Sequence, residues 1–271
     1  MTKQLFFFAI INRSAQSVQE LSPVFIRTDK LGISSREVYF FVGLMIHKAI
    51  VLIFPKLNCI ILGEVIAVKT KEMDKLIKHF DTYFEQEDST VLHPIVDAGL
   101  HIDVLMYKPN EKYPFWKLVT MGASDYKMPS VPNTVGLYNE YIMFVDPETD
   151  LTDKDVLAWY YENLLAVATY AYFNKTHITF GHSFEWKPET PDEEMIAAFI
   201  EFPQIIGTTQ ILKCKLGLMK TVACLQVVLL NKEELERLLK IGPIAFSDYL
   251  YPEDDSSTAH FLTERHRSEK F

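Results

Sequence analysis

The sequence is poor in cysteine, which limits the ways in which its fold can be stabilised. Its 271 residues include three cysteines, Cys59, Cys214 and Cys224, and none of them belongs to a CxxC pair. An odd, sparse set of this kind argues against a disulfide framework and favours free thiols in a reducing compartment. We therefore expect a cytoplasmic protein whose cysteines serve as small buried residues.

The sequence also lacks an apolar run of the length that crosses a bilayer, which takes about 20 residues. The first run, Leu5–Ile11, is only seven residues long, and no clean small-x-small cleavage site follows it. The longer run, Phe40–Phe54, is broken by His47 and Lys48. We expect neither a signal peptide nor a transmembrane helix, and no membrane partner.

Motifs for common catalytic and cofactor chemistry are absent as well. The sequence contains no GxGxxG, GxxxxGKS/T, HExxH, GxSxG or EF-hand loop. His177 and His182 have no cysteine or carboxylate at ligand spacing, so we expect no metal site. We expect no cofactor and no enzyme activity. The catalytic alternative is an enzyme that uses His182 and Asp125, which requires the two side chains within hydrogen-bond reach.

The charge distribution divides the chain. Residues 1–72 carry nine Lys/Arg and five Asp/Glu, whereas residues 73–271 carry 18 and 31. An acidic body repels phosphate backbones, so we expect no nucleic-acid binding. The same charge suits a protein partner with a basic surface, although it also serves solubility.

Hydrophobic periodicity predicts alternating helices and strands from residue 71 onward. We expect Thr152 as the N-cap of the second helix, Leu239 on the inner face of the third, Thr221–Leu230 in the middle of the sheet, and a loosely held tail from Tyr251. The predicted helices are Lys71–Phe84, Asp153–Phe173 and Lys232–Ile241, and the predicted strands are Leu100–Tyr107, Phe115–Met121, Tyr138–Val145, Ile178–Phe180, Ile196–Phe202 and Thr221–Leu230.

Partial alternation along Tyr138–Val145 predicts a strand with one buried face. The connections that join the first three strands are too short for a helical crossover, except the last, so we expect these strands to be antiparallel neighbours.

Four segments, in order, are similar to one known family. They are His101–Val104 with Pro109; Trp116–Gly122 with Ser124, Asp125, Met128 and Pro132; Gly181–Ser183; and Leu225–Val228 with Glu233–Leu235. The second segment resembles the "tLvTmGmSd..M.vP" signature of the Suppressor of fused family, bacterial type. Leu229 stands where that family usually has proline, and Asn139–Tyr141 matches its "rvEl" strand only loosely.

The resemblance implies an α+β fold, in which a mixed, largely antiparallel sheet packs against helices in a single Suppressor-of-fused-like domain. It covers residues 73–271 and leaves residues 1–72 as an N-terminal extension of unknown status. Because the charge balance changes at the same place, we also consider Met73 as the native start. Mapping of the translation start tests that hypothesis.

The family resemblance further implies protein binding without catalysis. Animal members sequester a transcription factor, and bacterial members resemble immunity proteins that neutralise toxin domains, often nucleases. We therefore expect an immunity protein that binds a basic toxin domain stoichiometrically; a general scaffold is the alternative. The expected contact surface is formed by acidic loops, Asp146, Glu148, Asp150, Asp153, Asp155, Glu189, Asp192, Glu193 and Glu194. The expected fold-shaping motif residues are Trp116, Thr120, Gly122, Ser124, Asp125, Met128, Pro132, Gly181 and His182.

Overall fold

A computed structural model describes residues 8–12, 71–94, 99–131, 136–187, 193–251 and 260–265. The strands are β1 (Phe8–Asn12), β2 (Ser89–Pro94), β3 (Asp103–Tyr107), β4 (Trp116–Met121), β5 (Asn139–Val145), β6 (Ser183–Glu185), β7 (Ala197–Glu201), β8 (Lys213–Lys215) and β9 (Thr221–Leu230). The helices are α1 (71–84), α2 (Lys154–Asn174), α3 (Lys232–Ile241) and α4 (Pro243–Leu250).

The described strands form one mixed sheet. Its order is β1-β2-β3-β4-β5-β9-β7-β6, and β8 pairs with β9 outside this path. The β5–β9 pair is parallel, and the other pairs between these strands are antiparallel. The α+β class is therefore confirmed, as is the antiparallel arrangement of β3, β4 and β5.

Helices cover both faces of the sheet. Leu164 of α2 packs on one face together with Leu118 and Val227. Phe80 of α1, Leu238 of α3 and Phe246 of α4 pack on the other face. Successive strand residues point to opposite faces, so a strand in the middle layer is apolar on both sides.

The two central strands show this burial directly. All seven residues of β5 are buried, so the prediction of one buried face for this strand is wrong. The central position predicted for β9 is confirmed, because β9 pairs with β5, β7 and β8.

Several local predictions differ from the structure. Residues 178–180 are not a strand, whereas β1, β2, β6, β8 and α4 were not predicted. Asp153, not Thr152, is the N-cap of α2, and its side chain accepts bonds from the amides of Asp155 and Val156. Leu239 is 72 % exposed.

Part of the predicted loose tail is packed. Phe261 and Thr263 are buried, and the Thr263 amide donates to the carbonyl of Phe144 at 2.7 Å. The tail therefore extends the core at the end of β5.

The boundary between the predicted extension and domain remains a prediction. Strand β1, from the predicted extension, pairs with β2 in antiparallel register from Phe8–Pro94 to Asn12–Thr90. Among the described residues, no helix combines the length and the apolar character needed to span a membrane.

Candidate functional site

Strand direction divides the predicted site residues between two ends of the sheet. Strands β5 and β9 run in parallel, and β7 runs against them with Ala197 opposite Leu230. The segment after Val145 and the segment before Ala197 therefore lie at the same end. We call this the acidic end, formed by residues 146–155 with Glu193 and Glu194.

The acidic end presents carboxylates that the local backbone holds in place. Asp146 accepts from the Glu148 amide at 2.8 Å, and Asp150 accepts from the Thr152 amide at 2.9 Å. Hydrogen bonds from the Thr152 side chain and then its amide lower the pKa of Asp150. Glu148, Asp150, Asp153 and Asp155 are exposed and form no ion pair within the described residues.

The second predicted acidic stretch is only partly described. Glu194 is exposed and Glu193 is partly buried, whereas Glu189 and Asp192 lie outside the described residues. Two stretches about 40 positions apart in sequence are thus brought to one end of the sheet.

The signature end lies opposite, where β4 stops and β3 begins. We define it by residues 101–103 and 121–125. Gly122 has φ of +122°, and a Cβ at this position would lie 2.2 Å from the His101 carbonyl oxygen. Only glycine fits this turn without displacing the backbone, which explains the glycine of the signature.

A buried carboxylate lies beneath the signature turn. Glu140 is fully buried in β5 and accepts hydrogen bonds from Thr120 Oγ1 at 2.6 Å, the Gly122 amide at 2.9 Å and the Ser124 amide at 3.1 Å. Burial raises the pKa of Glu140, although these hydrogen bonds oppose the shift. Thr120 Oγ1 also accepts from the Tyr141 amide at 2.8 Å.

Three signature residues therefore surround Glu140, which supports a role for them in shaping the fold. Glu140 lies in the strand that matches the family's pattern only loosely, and the sequence predicts no role for it. Its position opposite the TxGxS run could have suggested the contact, because a buried carboxylate needs donors.

The remaining motif residues lie in separate surroundings. Met128 is buried, and its sulfur lies 3.4 Å from the Ile178 amide nitrogen. Gly181 has φ of +85°, and a Cβ there would lie 3.3 Å from Pro243. Trp116 begins β4 and packs against the core, and Pro132 lies outside the described residues.

The structure separates the two residues of the catalytic alternative. Asp125 follows β4, and its carboxylate lies 3.7 Å from Lys220 Nζ. His182 precedes β6, and its carbonyl accepts from the Ile200 amide. Strands β5, β9 and β7 lie between β4 and β6.

A group of potential metal ligands lies at the signature end. His93 Nδ1 lies 2.6 Å and His101 Nε2 lies 3.2 Å from the same oxygen, Asp103 Oδ1. The three donor atoms lie within 4.8 Å of one another. His101 and Asp103 also line a pocket with about 370 Å³ of empty space, part of it open to solvent, together with Met73, Leu76, Met121, Ser124, Asp125 and Leu216.

Comparison with known proteins identifies the family. The family model of the Suppressor of fused protein (SUFU) matches residues 99–259, more than half of the chain. The chain belongs to the SUFU family. No curated protein sequence matches it.

Solved SUFU structures share the fold. A Sufu–Fu complex structure matches with a TM-score of 0.53 at 15 % identity, covering 72 % of this chain and 91 % of that one. A SUFU homologue from Neisseria gonorrhoeae FA 1090 gives 0.51 at 12 % identity, with 73 % and 96 % coverage. Drosophila Suppressor of Fused gives 0.50 at 17 % identity, and the match covers 71 % of this chain but half of that protein.

Proposed function

We propose that this SUFU-family chain is a non-catalytic protein-binding module, and that it acts as an immunity protein that neutralises a basic toxin domain by stoichiometric binding. Two findings support the protein-binding role: the chain belongs to the SUFU family, and a protein of similar fold forms the Sufu–Fu complex. The acidic surface is the reason for proposing a basic partner.

The acidic end is the proposed contact surface. Its loop 146–155 contains five carboxylates and one lysine, and the second acidic stretch of this chain adds Glu193 and Glu194. In the loop, Glu148, Asp150, Asp153 and Asp155 are exposed and have no ion-pair partner within the part of the chain that the structure describes, so a bound protein can supply the cations. Clustered charge of one sign accelerates encounter with an oppositely charged protein and orients it before contact.

Nuclease domains carry basic clefts that bind phosphate backbones, and an acidic surface can occlude such a cleft. Occlusion requires only complementary shape and charge, so it needs no catalytic side chain. The mechanism is therefore one-to-one blockage.

Affinity capture with the full chain from its native cell tests the proposal. We expect a basic toxin domain at a one-to-one ratio. Capture of a cytosolic protein unrelated to toxins would instead support the scaffold alternative, and would contradict the immunity role.

The contact surface is tested by reversing exposed charges that cap no helix. We expect Glu148→Lys with Asp155→Lys to slow association with the captured domain by at least about tenfold at low salt, because steering is lost. The control pair, Asp74→Lys with Asp248→Lys, changes the net charge equally at exposed helical positions elsewhere. Equal rates for both double variants would rule out the acidic end as the contact surface.

A further inference from the structure

We propose that His93, His101 and Asp103 form a binding site for a divalent transition-metal ion of the zinc type. The site is independent of the proposed contact surface, because it lies at the opposite end of the sheet. The sequence predicts no metal site, because His93, His101 and Asp103 do not show a familiar ligand spacing.

Strand pairing brings the three residues together. His93 in β2 and Asp103 in β3 are each one position beyond the paired residues Leu92 and Val104, so they face each other across the two strands. His101 is two positions before Asp103, and residues two apart along an extended chain share a face. The three side chains therefore converge on one side of the sheet.

The donor atoms are arranged almost as a metal ion requires. Ligands about 2.1 Å from a tetrahedral ion lie about 3.4 Å from one another. The separation of His101 Nε2 and Asp103 Oδ1 is 3.2 Å, close to this value. The separation of His93 Nδ1 and the same oxygen is 2.6 Å, so an outward shift of the His93 ring by under about 1 Å makes room for the ion.

The chemistry of the three donors selects the class of ion. Two imidazoles and one carboxylate suit Zn²⁺ and neighbouring first-row ions, whereas Ca²⁺ and Mg²⁺ prefer oxygen ligands alone. Three protein ligands leave a coordination position for water or a further ligand.

The burial of the three side chains and the backbone contact at His101 fit a preorganised metal site. Asp103 is 4 % exposed, whereas His93 and His101 are partly exposed and give an ion access from solvent. The close approach of Gly122 to the His101 carbonyl fixes the backbone of one ligand. The signature turn therefore positions a metal ligand in addition to enclosing Glu140.

Calorimetric titration of the tag-free full chain with Zn²⁺, and visible spectroscopy with Co²⁺, test the site. We expect one equivalent to bind per chain and to raise the unfolding temperature, since an ion that binds the native state stabilises it. His93→Ala and His101→Ala should each weaken binding by at least about tenfold, because even outer-shell changes cost that much.

His182→Ala is the matched control, because it removes an exposed imidazole beside His177 and should leave Zn²⁺ affinity unchanged. Thermal unfolding without metal establishes that each variant is folded, and Asp103→Asn provides a third variant that keeps the side-chain volume. The proposal is overturned if the native chain binds neither ion, or if folded His93→Ala and His101→Ala bind as tightly as His182→Ala. Loss of binding in His182→Ala alone would place the ion at the His177–His182 pair and would equally refute it.

Discussion

At the scale of single residues, the buried cation Lys117 is the most unusual feature of the core. It is fully buried in β4, its Nζ lies 3.4 Å from the Tyr113 carbonyl oxygen, and the rings of Phe84 and Phe115 flank it. Burial lowers its pKa from 10.5 to about 8. Between these pH values the native state binds fewer protons than the unfolded chain, so this residue makes the free energy of unfolding rise with pH.

We therefore predict that Lys117→Met stabilises the protein at pH 7 by about 1–3 kcal/mol, since an apolar side chain replaces a buried charge. The advantage over the native chain should shrink as the pH rises from 8 towards 10.5. Urea unfolding across this range measures both effects, with Lys112→Met as the exposed control. A constant difference at all pH values would show that burial does not lower the pKa of Lys117 in the folded protein.

The turn glycine gives a second prediction at this scale. Gly122→Ala should destabilise the protein by at least about 3 kcal/mol, because it combines backbone strain with a clash against the His101 carbonyl. Gly217→Ala is the control, since its Cβ would meet no atom within 4 Å and its backbone needs no positive φ. Comparable unfolding midpoints for the two variants would contradict this account of the signature.

The structural roles of some of these residues could be predicted from the sequence, and those of others could not. Gly122 stood out because it belongs to a recognisable motif. Glu140 and Lys117 did not, because a charged residue within an apolar strand reveals neither its burial nor its donors or acceptors until the neighbouring strands are placed. His93, His101 and Asp103 have no familiar ligand spacing, and strand pairing alone makes them neighbours.

At the scale of elements, α3 shows how local signals define a helix. The Asn231 side chain accepts from the Glu234 amide at 2.9 Å, and Glu234 accepts from the Asn231 amide at 3.0 Å, which is a complete capping box. We predict that Asn231→Ala lowers the free energy of unfolding by about 1 kcal/mol. Asn231→Asp keeps a capping side chain, so its free energy of unfolding should fall much less. Equal decreases for the two variants in urea unfolding would contradict the capping role.

The predicted elements were those with strong internal patterns, namely α1, α2, α3 and the apolar strands β3, β4, β5, β7 and β9. Strand β2 contains Ser89, Thr90 and His93, and its pairing with β3 stabilises a strand that its own pattern does not predict. Pro243 begins α4, where a missing amide hydrogen costs nothing.

At the scale of the whole molecule, the sheet keeps the proposed contact surface and the proposed metal site at opposite ends. We predict that the two act independently. Glu148→Lys with Asp155→Lys should leave Zn²⁺ affinity unchanged, and His101→Ala should leave the partner association rate unchanged, because distant sites without shared partners contribute additively. A change of more than about threefold in either measurement would indicate coupling through the sheet.

The parallel pairing of β5 with β9 also has a consequence for synthesis on the ribosome. Tyr141 pairs with Leu225, 84 positions later in the chain. At a translation rate of about 5–20 residues per second, β9 is synthesised roughly 4–17 s after β5, and the edge of β5 that pairs with β9 stays unpaired during that time. All seven residues of β5 are buried in the finished protein, so the nascent chain carries an unpaired apolar edge during that interval. Until β9 has been synthesised, this edge can therefore pair with other chains, which exposes the nascent chain to aggregation.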